Sequence, residues 1–313
     1  MNLTDTPSIG TTGDCIHRFT FENLPIRGQW VRLSETILQA NAIRKYPQAI
    51  RIFLNEMFAA VSMFADNLKF EGAVALQSRG DGPLIRTLAE CRERQFLRGI
   101  AHLNEEMAMP RDASDLSQWL GNGQLALSLI PPAGHQQSPY QGIVSLQHAS
   151  LSDNLQTYLL NSEQLPSRLY LASAKNSVTG LLLQRLPSAD LASEVSIDEA
   201  ENAWQSIITL ADTVSTPELL KLAPEVLLHR LFNEHSCRLY PARPLSYKCS
   251  CTRQKSDRTL RILGRAEIQS LHDEQGEISV DCEFCGTSYV YDAVDIGELL
   301  NNDINQPAPD TRH

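Results

Sequence analysis

The order of hydrophobic and polar residues divides the chain into helical and strand-rich stretches. Residues 47–68 place an apolar side chain at every third or fourth position, the period of an amphipathic helix with one buried face. Residues 34–42 indicate a shorter helix, and residues 18–21 alternate as a strand does. We therefore expect one strand and two helices before residue 69.

Residues 69–186 follow a different pattern, with short alternating runs separated by turn residues. Such runs are typical of strands joined by tight turns. The predicted strands are residues 73–77, 125–130, 141–146, 168–172 and 180–186. One helix is expected over about residues 151–160. Together these elements predict a mostly antiparallel sheet domain with helices, over residues 1–187.

After Pro187 the chain becomes polar and acidic, and then helical. Ser196 and Glu199 form a capping box that predicts a helix to about residue 212. A second helix begins at Thr216-Pro217, and Pro224 divides it into two short ones. These helices form a connector, residues 188–245. Five of its large apolar residues, here called the apolar stripe, share one face: Leu219, Leu220, Leu227, Leu231 and Phe232.

Four of the seven cysteines stand in two tight pairs near the carboxyl end, separated by the segment 252–281. A structural zinc site takes four tetrahedral ligands, and two close pairs separated by a loop supply them. Gly286, directly after the second pair, lets backbone amides approach the sulfurs. The spacing predicts a zinc module over residues 246–295, followed by a tail over 296–313. One Zn²⁺ per chain is expected, with the ligands Cys249, Cys251, Cys282 and Cys285.

Two other interpretations of the cysteine pairs stay open at this point. One is a structural zinc ribbon on a nucleic-acid-binding or scaffolding protein. The other is a thiol–disulfide oxidoreductase using Cys282 and Cys285, although no strand–helix–strand unit surrounds that pair. The chain has a net charge of −10, and residues 246–290 hold six basic and seven acidic side chains. Because phosphate groups favour a basic surface, nucleic acid is not an expected partner.

Several other classes are also disfavoured. No stretch approaches the roughly 18 apolar residues of a membrane helix, and the first residues do not resemble a secretory signal. The expected compartment is the cytoplasm, where thiols stay reduced. The sequence contains no His-Glu-x-x-His, Gly-x-Ser-x-Gly or Gly-x4-Gly-Lys-Ser/Thr motif, so we expect no enzyme. The remaining cysteines are isolated in sequence and are interpreted as incidental thiols: Cys15, Cys91 and Cys237.

The chain resembles the thirty-three-kilodalton chaperonin family, bacterial heat-shock proteins that act as redox-activated holdases. The resemblance covers about residues 14–300, and the two cysteine pairs are its most specific part. Other matching segments are His17-Arg18-Phe19, Phe21-Glu22-Asn23, Ile26-Arg27-Gly28, Ser34-Glu35-Thr36, Leu68-Lys69-Phe70-Glu71-Gly72, Gly80-Asp81-Gly82-Pro83, Gly121-Asn122-Gly123, Tyr140-Gln141-Gly142, Ser162-Glu163-Gln164-Leu165-Pro166-Ser167-Arg168, Gly180-Leu181-Leu182-Leu183-Gln184 and Tyr247-Lys248-Cys249. The chain departs from the family before Asp14 and over residues 84–97.

The resemblance implies an α+β amino-terminal domain, a metastable helical linker and a zinc-binding redox switch. It also implies that oxidation releases zinc and forms disulfides within each pair, Cys249 with Cys251 and Cys282 with Cys285. The partners would be unfolding client proteins, held without ATP, and the oxidised chain would be a homodimer. On this basis the apolar stripe is the candidate client-binding surface.

Overall fold

The computed structural model describes residues 13–68, 71–110, 115–132, 134, 138–187 and 196–301. These residues form two compact units, residues 1–248 and residues 249–313. Residues 1–12, the first residues of the connector (188–195) and the tail beyond residue 301 lie outside the described residues. Within the described part, no helix combines the length and the apolar character needed to cross a membrane.

Both units contain strands and helices. The strands are β1 (Cys15–Phe21), β2 (Ile26–Leu33), β3 (Ala73–Arg79), β4 (Leu84–Arg92), β5 (Phe96–Leu103), β6 (Gln124–Ile130), β7 (Tyr140–Val144), β8 (Ser167–Ala174), β9 (Ser177–Arg185), β10 (Cys237–Leu239), β11 (Arg243–Pro244), β12 (Ser246–Tyr247), β13 (Ile278–Asp281) and β14 (Ser288–Tyr291). The helices are α1 (Glu35–Ile43), α2 (Gln48–Asp66), α3 (Leu116–Leu120), α4 (Leu151–Glu163), α5 (Ile197–Ala211), α6 (Thr216–Lys221), α7 (Pro224–Phe232), α8 (Arg253–Leu263), α9 (Arg265–Gln275) and α10 (Ala293–Asn301).

Two sheets organise the first unit within the described residues. Sheet A has the order β10-β1-β2-β9-β8, with β11 also paired to β1, and sheet B has the order β12-β5-β4-β3-β6-β7. Neighbouring strands are antiparallel, except that β12 pairs in parallel with β5. The predicted α+β class with a mainly antiparallel sheet is therefore confirmed.

Helix α2 packs against strands of both sheets. Its side chains share one core with Leu76 of β3 and Val178 of β9. The sequence predicted a helix with a single apolar face, but buried residues surround almost its whole circumference from Met57 onward. Because a sheet covers the helix on each side, even polar residues such as Asn55 and Asp66 are buried there.

Sheet A is covered on both faces. In strand β2, Val31 and Leu33 join the core around α2, whereas Ile26 and Trp30 join a second core that contains the connector helices α5–α7. This alternation follows from the two-residue period of a strand, whose successive side chains point to opposite faces. Sheet A therefore separates the main core from the connector.

The second unit is a small helical and hairpin fold. Helices α8, α9 and α10 and the β13–β14 hairpin share a core that includes Leu260, Ile268, Ile278, Tyr291 and Ile296. Helices α8 and α9 fill the loop between the cysteine pairs, where the sequence had predicted no elements. Both helices are rich in charged residues and bury only one or two side chains each, so they contain too few apolar residues to indicate a helix by their spacing.

Candidate metal centre and the docked connector

The two cysteine pairs form one cluster in the second unit. The Sγ atoms of Cys249 and Cys282 lie 3.6 Å apart, and those of Cys251 and Cys285 lie 3.3 Å apart. All four sulfurs lie within 4.8 Å of one another, and each residue is partly exposed. No cysteine of the chain forms a disulfide in this structure, since such a bond would bring two sulfurs to about 2.05 Å.

Local backbone structure presents the second pair. Cys282 follows strand β13, and the hairpin turn closes with two 2.8 Å hydrogen bonds, from Gly286 N to Cys282 O and from Cys282 N to Thr287 O. Gly286 adopts φ of 70°, a conformation that favours glycine. This turn aims both thiols of the pair to one side. It lies in a β-hairpin rather than between a strand and a helix of a βαβ unit.

The first pair precedes helix α8. The Thr252 side chain caps this helix by accepting a hydrogen bond from Lys255 N. The Lys255 Nζ donates a 2.6 Å hydrogen bond to the Ser250 carbonyl oxygen, which lies between the two thiols of the pair in sequence. The capped helix therefore fixes the backbone that carries Cys249 and Cys251.

The donor set suits a tetrahedral cation. Four sulfurs at about 2.3 Å from a Zn²⁺ ion would stand about 3.8 Å from one another. The separations of 3.6 Å between the sulfurs of Cys249 and Cys282 and of 3.3 Å between those of Cys251 and Cys285 are close to this edge length. The four cysteines can therefore hold a metal ion, and their chemistry fits the predicted zinc.

Proton affinity is unequal across the cluster. Burial raises the pKa of the Cys249 thiol to about 12 and also raises that of Cys282. Burial acts in the same direction on Cys285, but hydrogen bonds with Thr287 and the neighbouring thiols outweigh it and lower the pKa to about 7. A hydrogen bond with Cys251 raises the pKa of Tyr289 to about 12. Closely spaced thiolates repel one another, so a cation is needed to hold all four ionised.

The three cysteines outside the cluster lie in strands of the first unit. Cys15 and Cys91 are buried, and Cys237 is partly buried. Burial raises the pKa of Cys91 to about 12 and that of Cys237 to about 11. Since the thiolate is the reactive form, both are poor targets for oxidants at neutral pH.

The apolar stripe lies against sheet A. Its residues Leu219, Leu227, Leu231 and Phe232 are at most 2% exposed, and Leu220 packs partly buried beside them. The Phe232 ring meets Phe21 of β1 edge to face, with ring centres 5.1 Å apart. The connector thus covers the outer face of sheet A with the residues that the sequence marked as its stripe.

Polar contacts between the sheet and the connector surround this apolar core. Arg32 donates hydrogen bonds of 3.2 Å and 2.7 Å to the carbonyl oxygens of Leu220 and Leu222. The Tyr170 hydroxyl donates a 2.6 Å hydrogen bond to Asp212 at the end of α5. These groups are at least partly solvent-exposed, so most of the docking energy must come from the apolar contacts.

The end of the connector is also tied to the first unit. Strands β10 and β11 pair with β1, and the Leu245 amide donates a 2.9 Å hydrogen bond to the Asp14 carbonyl oxygen. Strand β12 pairs with β5, and Lys248 N donates a 2.9 Å hydrogen bond to Leu97 O. Cys249 is the next residue, so the chain passes from this pairing directly into the cysteine cluster.

The sheet face beneath the stripe was not identified from the sequence. It is formed by Phe21, Trp30, Leu181 and Leu183. A signal was present, because Leu181-Leu182-Leu183 is a continuous apolar run rather than an alternating one, and such runs are typical of strands covered on both faces. The run indicated a second covering layer without indicating which segment supplies it.

Comparison with known proteins gives a consistent result. The sequence model of the Hsp33 protein family matches residues 14–292. The 33 kDa chaperonin of Nitrosococcus oceani is 38% identical over 300 residues, covering 96% of this chain and 99% of the relative. That of Ectopseudomonas mendocina is 38% identical over 301 residues, with the same coverage. The crystal structure of a 33 kDa chaperonin from Thermotoga maritima is similar with a TM-score of 0.78 at 20% identity, over 93% of this chain and 99% of that one.

Proposed function

Because this chain belongs to the Hsp33 family of chaperones, we propose that it is a redox-regulated holdase. In this proposal it binds unfolding proteins without ATP after oxidation has released Zn²⁺ and formed disulfides. The observation that carries the proposal is that the apolar stripe is folded away against sheet A while all cluster cysteines are thiols. The structure then corresponds to the inactive, reduced state.

The proposed ligands of the metal are Cys249, Cys251, Cys282 and Cys285. Bound Zn²⁺ would cross-link two segments of the chain and favour the thiolate form of its ligands. In the oxidation step, one thiolate of a pair attacks peroxide and becomes a sulfenic acid, with release of hydroxide. The second thiolate of the pair attacks that sulfur, forms the S–S bond and displaces a second hydroxide. Two electrons leave the two sulfurs and reduce one peroxide.

The new bonds do not replace the lost cross-link. Disulfides within the pairs close loops of three and four residues, whereas the metal site joins Cys249 to Cys282, which lies 33 positions further along the chain. The chain-entropy estimate is about 2 kcal/mol for a four-residue loop and about 4 kcal/mol for one of about 35 residues. Metal binding itself contributes roughly 10–16 kcal/mol in small zinc modules. The second unit has only a small core, so we expect it to unfold on oxidation.

Chain continuity couples this unfolding to the connector. Strand β12 ends at Tyr247, two residues before Cys249, and its pairing with β5 involves two residues only. Once the second unit is unfolded, strand β12 is followed along the chain by a disordered segment, and its two-residue pairing loses that support. We propose that strands β12, β11 and β10 then detach in turn, which frees the carboxyl end of the connector.

Release of the connector would expose two apolar surfaces at once. One is the apolar stripe, the proposed client-binding surface. The other is the sheet face around Phe21 and Trp30 that the stripe covers in the reduced state. Large exposed apolar patches of this kind are typical of protein-binding surfaces.

The proposal also assigns roles to the regions of the chain. Residues 1–187 are the core domain, 188–245 the metastable connector, 246–295 the redox switch and 296–313 a tail. The compact unit that holds the cysteines differs slightly from these bounds, because it begins at Cys249 and its core includes Ile296 of α10. Unfolding proteins are the partners, the oxidised chain is a homodimer, and neither nucleic acid nor a membrane takes part. The protein performs no catalytic turnover. The four thiols must stay reduced until stress occurs, so the working compartment is a reducing one, the cytoplasm.

The test combines zinc content with suppression of aggregation of a chemically unfolded client. Both are measured before and after treatment with peroxide and mild heat. We expect one zinc per reduced chain and no holding, then loss of zinc and strong holding after oxidation. Hydrogen exchange of residues 196–244 should show lost protection in the oxidised sample only.

Three outcomes would contradict the proposal. Constant zinc with retention of nucleic acid would support a structural zinc ribbon. Turnover of insulin disulfides without holding would support an oxidoreductase. Unchanged protection of the connector together with full holding would move client binding away from the apolar stripe.

A further inference from the structure

A cleft in the first unit has no lining residue in common with the cysteine cluster or the apolar stripe. It is bounded by strands β1 and β2, the end of helix α2, the β4–β5 turn and the segment between β10 and β11, and its volume is about 730 Å³. This size is in the range of sites that hold small organic ligands, roughly 300–1,000 Å³. The proposed chaperone function makes no use of it.

Four arginines line this cleft: Arg18, Arg27, Arg94 and Arg243. The described residues that line it include no aspartate or glutamate. One carboxylate lies beneath the cleft, that of Asp66, whose side chain is 1% exposed. Four guanidinium groups against one carboxylate leave about three positive charges uncompensated. This excess is unusual in a chain whose net charge is −10.

Asp66 pairs with two of the four arginines. Its carboxylate accepts a 2.5 Å hydrogen bond from Arg18 Nε and forms an ion pair with Arg243. Gln29 donates a further 2.5 Å hydrogen bond to the same carboxylate. The buried carboxylate thereby holds the two guanidinium groups at one side of the cleft.

Arg27 is held by a neutral partner. Its Nε and NH2 groups donate hydrogen bonds of 3.1 Å and 2.9 Å to Gln184 Oε1, and no carboxylate of the described residues lies within ion-pair distance of it. Burial lowers the pKa of Arg27, and the charge of Arg18 lowers it further. The pKa of Arg243 is lowered by the same two causes. The lowered pKa values of Arg27 and Arg243 indicate that positive charges repel one another in the cleft and that the carboxylates of the protein neutralise them only in part.

Arg94 reaches the cleft from an unusual turn. Glu93 and Arg94 are the two central residues of the β-turn from Arg92 to Gln95 in the β4–β5 hairpin, with φ of 53° and 56°. Both angles lie in the left-handed region, where a tight hairpin turn favours Asn-Gly. A non-glycine residue at such a position costs about 1 kcal/mol or more. Here the turn carries an arginine to the rim of a cleft that already holds three.

We propose that this cleft binds an oligophosphate, a compact anion with three or more negative charges, through Arg27 and Arg94 with support from Arg18 and Arg243. Guanidinium groups match phosphate oxygens through paired hydrogen bonds, and a chain of phosphates concentrates the required charge within the cleft. The ligand could be an inorganic oligophosphate or the phosphate chain of a nucleotide. Tyr240 also lines the cleft and offers aromatic surface to a base.

Calorimetric titration of the full-length, reduced chain tests this site. The probes are inorganic triphosphate, ATP and citrate, each without divalent cations. The variants are Arg27→Gln and Arg94→Gln, with Arg86→Gln as a matched control, because Arg86 is an exposed arginine of β4 that does not line the cleft. Thermal unfolding of each variant confirms that it is folded.

We expect one triphosphate per chain, with affinity reduced at least about tenfold in Arg27→Gln and in Arg94→Gln. The Arg86→Gln control should bind within about twofold of the wild type, and added salt should weaken all binding. Tighter binding of ATP would identify a nucleotide as the ligand, and equal binding would identify the phosphate chain alone.

The assignment would be overturned by no triphosphate binding at about 1 mM. Equal affinity in Arg94→Gln and in the wild type would also overturn it. Arg94 has no carboxylate partner among the described residues and lies on a turn, so its replacement gives an answer even where Arg27→Gln disturbs the fold. Citrate binding as tightly as triphosphate would exclude oligophosphate as the preferred class.

Discussion

Arg32 of strand β2 donates a 2.7 Å hydrogen bond to the carbonyl oxygen of Leu222, directly after helix α6. The same guanidinium donates to Leu220 O and lies 4.7 Å from the centre of the Trp30 ring. The last carbonyls of a helix have no partner within the helix, and a cation there also interacts favourably with the helix dipole. One side chain of the core domain therefore completes the end of a connector helix.

Replacing Arg32 with Met should weaken the docking of the connector on sheet A without leaving a cavity in the apolar core. Loss of the charged hydrogen bonds should lower the free energy of docking by about 1–3 kcal/mol. Hydrogen exchange of the amides in α6 and α7 should accelerate, with partial holding activity in the reduced protein. Arg86→Met is the control and should leave both unchanged. Equal protection of α6 in Arg32→Met and in the wild type would show that this contact does not hold the connector.

Adjacent residues of helix α7 allow a matched test of the apolar stripe. Leu227 is fully buried, whereas Val226 is 53% exposed. Leu227→Ala should lower the free energy of unfolding of the connector by about 2–5 kcal/mol, because it leaves a cavity against sheet A. Val226→Ala should change it by no more than about 0.5 kcal/mol. The measurements are urea unfolding and holding by the reduced protein. Similar values for the two variants would show that burial of the apolar stripe does not hold the connector in place.

Acid should weaken the connector through its two capping boxes. Glu199 accepts hydrogen bonds from Ser196, and Glu218 accepts them from Ser215, which lowers the pKa of each carboxyl below its usual 4.5. A carboxyl whose pKa is lowered on folding stabilises the folded state. This stabilisation is complete above the pKa of the unfolded state and is lost as the pH falls through the pKa of the folded state. The contribution should therefore be present above about pH 5 and disappear on acidification.

The variant Glu218→Gln gives the measurement for this effect. Its urea stability should lie below that of the wild type at pH 7, and the two curves should converge at about pH 3. Glu225→Gln, an exposed change on helix α7, is the control and should follow the wild-type pH dependence. A constant difference between Glu218→Gln and the wild type across this range would exclude carboxylate titration as the cause.

The isolated cysteines should be dispensable for activation. The triple variant Cys15→Ala, Cys91→Ala and Cys237→Ser should still bind one zinc through four sulfurs and gain holding activity on oxidation. High thiol pKa values at Cys91 and Cys237 keep these residues protonated at neutral pH. X-ray absorption of the zinc and the aggregation assay check both points. Retained zinc binding with lost activation would place a redox role outside the cluster.

Short-range signals predicted many elements of this fold from the sequence. The helix over residues 47–68 is confirmed as α2, the capping box at Ser196 begins α5, and Pro224 separates α6 from α7. The strands at residues 73–77 and 125–130 are also confirmed. Each signal depends on neighbours within a few positions, so a single sequence carries it.

The pairing of strands that are distant in sequence and turns with unusual residues could not be predicted from such short-range signals. The β4–β5 hairpin runs from Leu84 to Leu103 and includes the segment 84–97, where the sequence indicated only a departure from the family. Its turn was not predicted because Glu93-Arg94 lacks the glycine or asparagine that usually marks such a turn. Strand β12 pairs through Ser246 and Tyr247 alone, and its parallel partner β5 lies in a distant, earlier part of the chain. The stripe was recognised, but the sheet face that covers it is assembled from strands distant in sequence.

The pairing of Phe21 in β1 with Cys237 in β10 affects the order in which the chain folds. Most of the chain lies between these two partners, so the edge of sheet A is completed only after most of the protein has been synthesised. At about 5–20 residues per second, ribosomal synthesis of the intervening segment takes roughly 10–40 s. During this time the outer face of sheet A lacks its cover, so the nascent chain exposes the apolar side chains that the connector later buries.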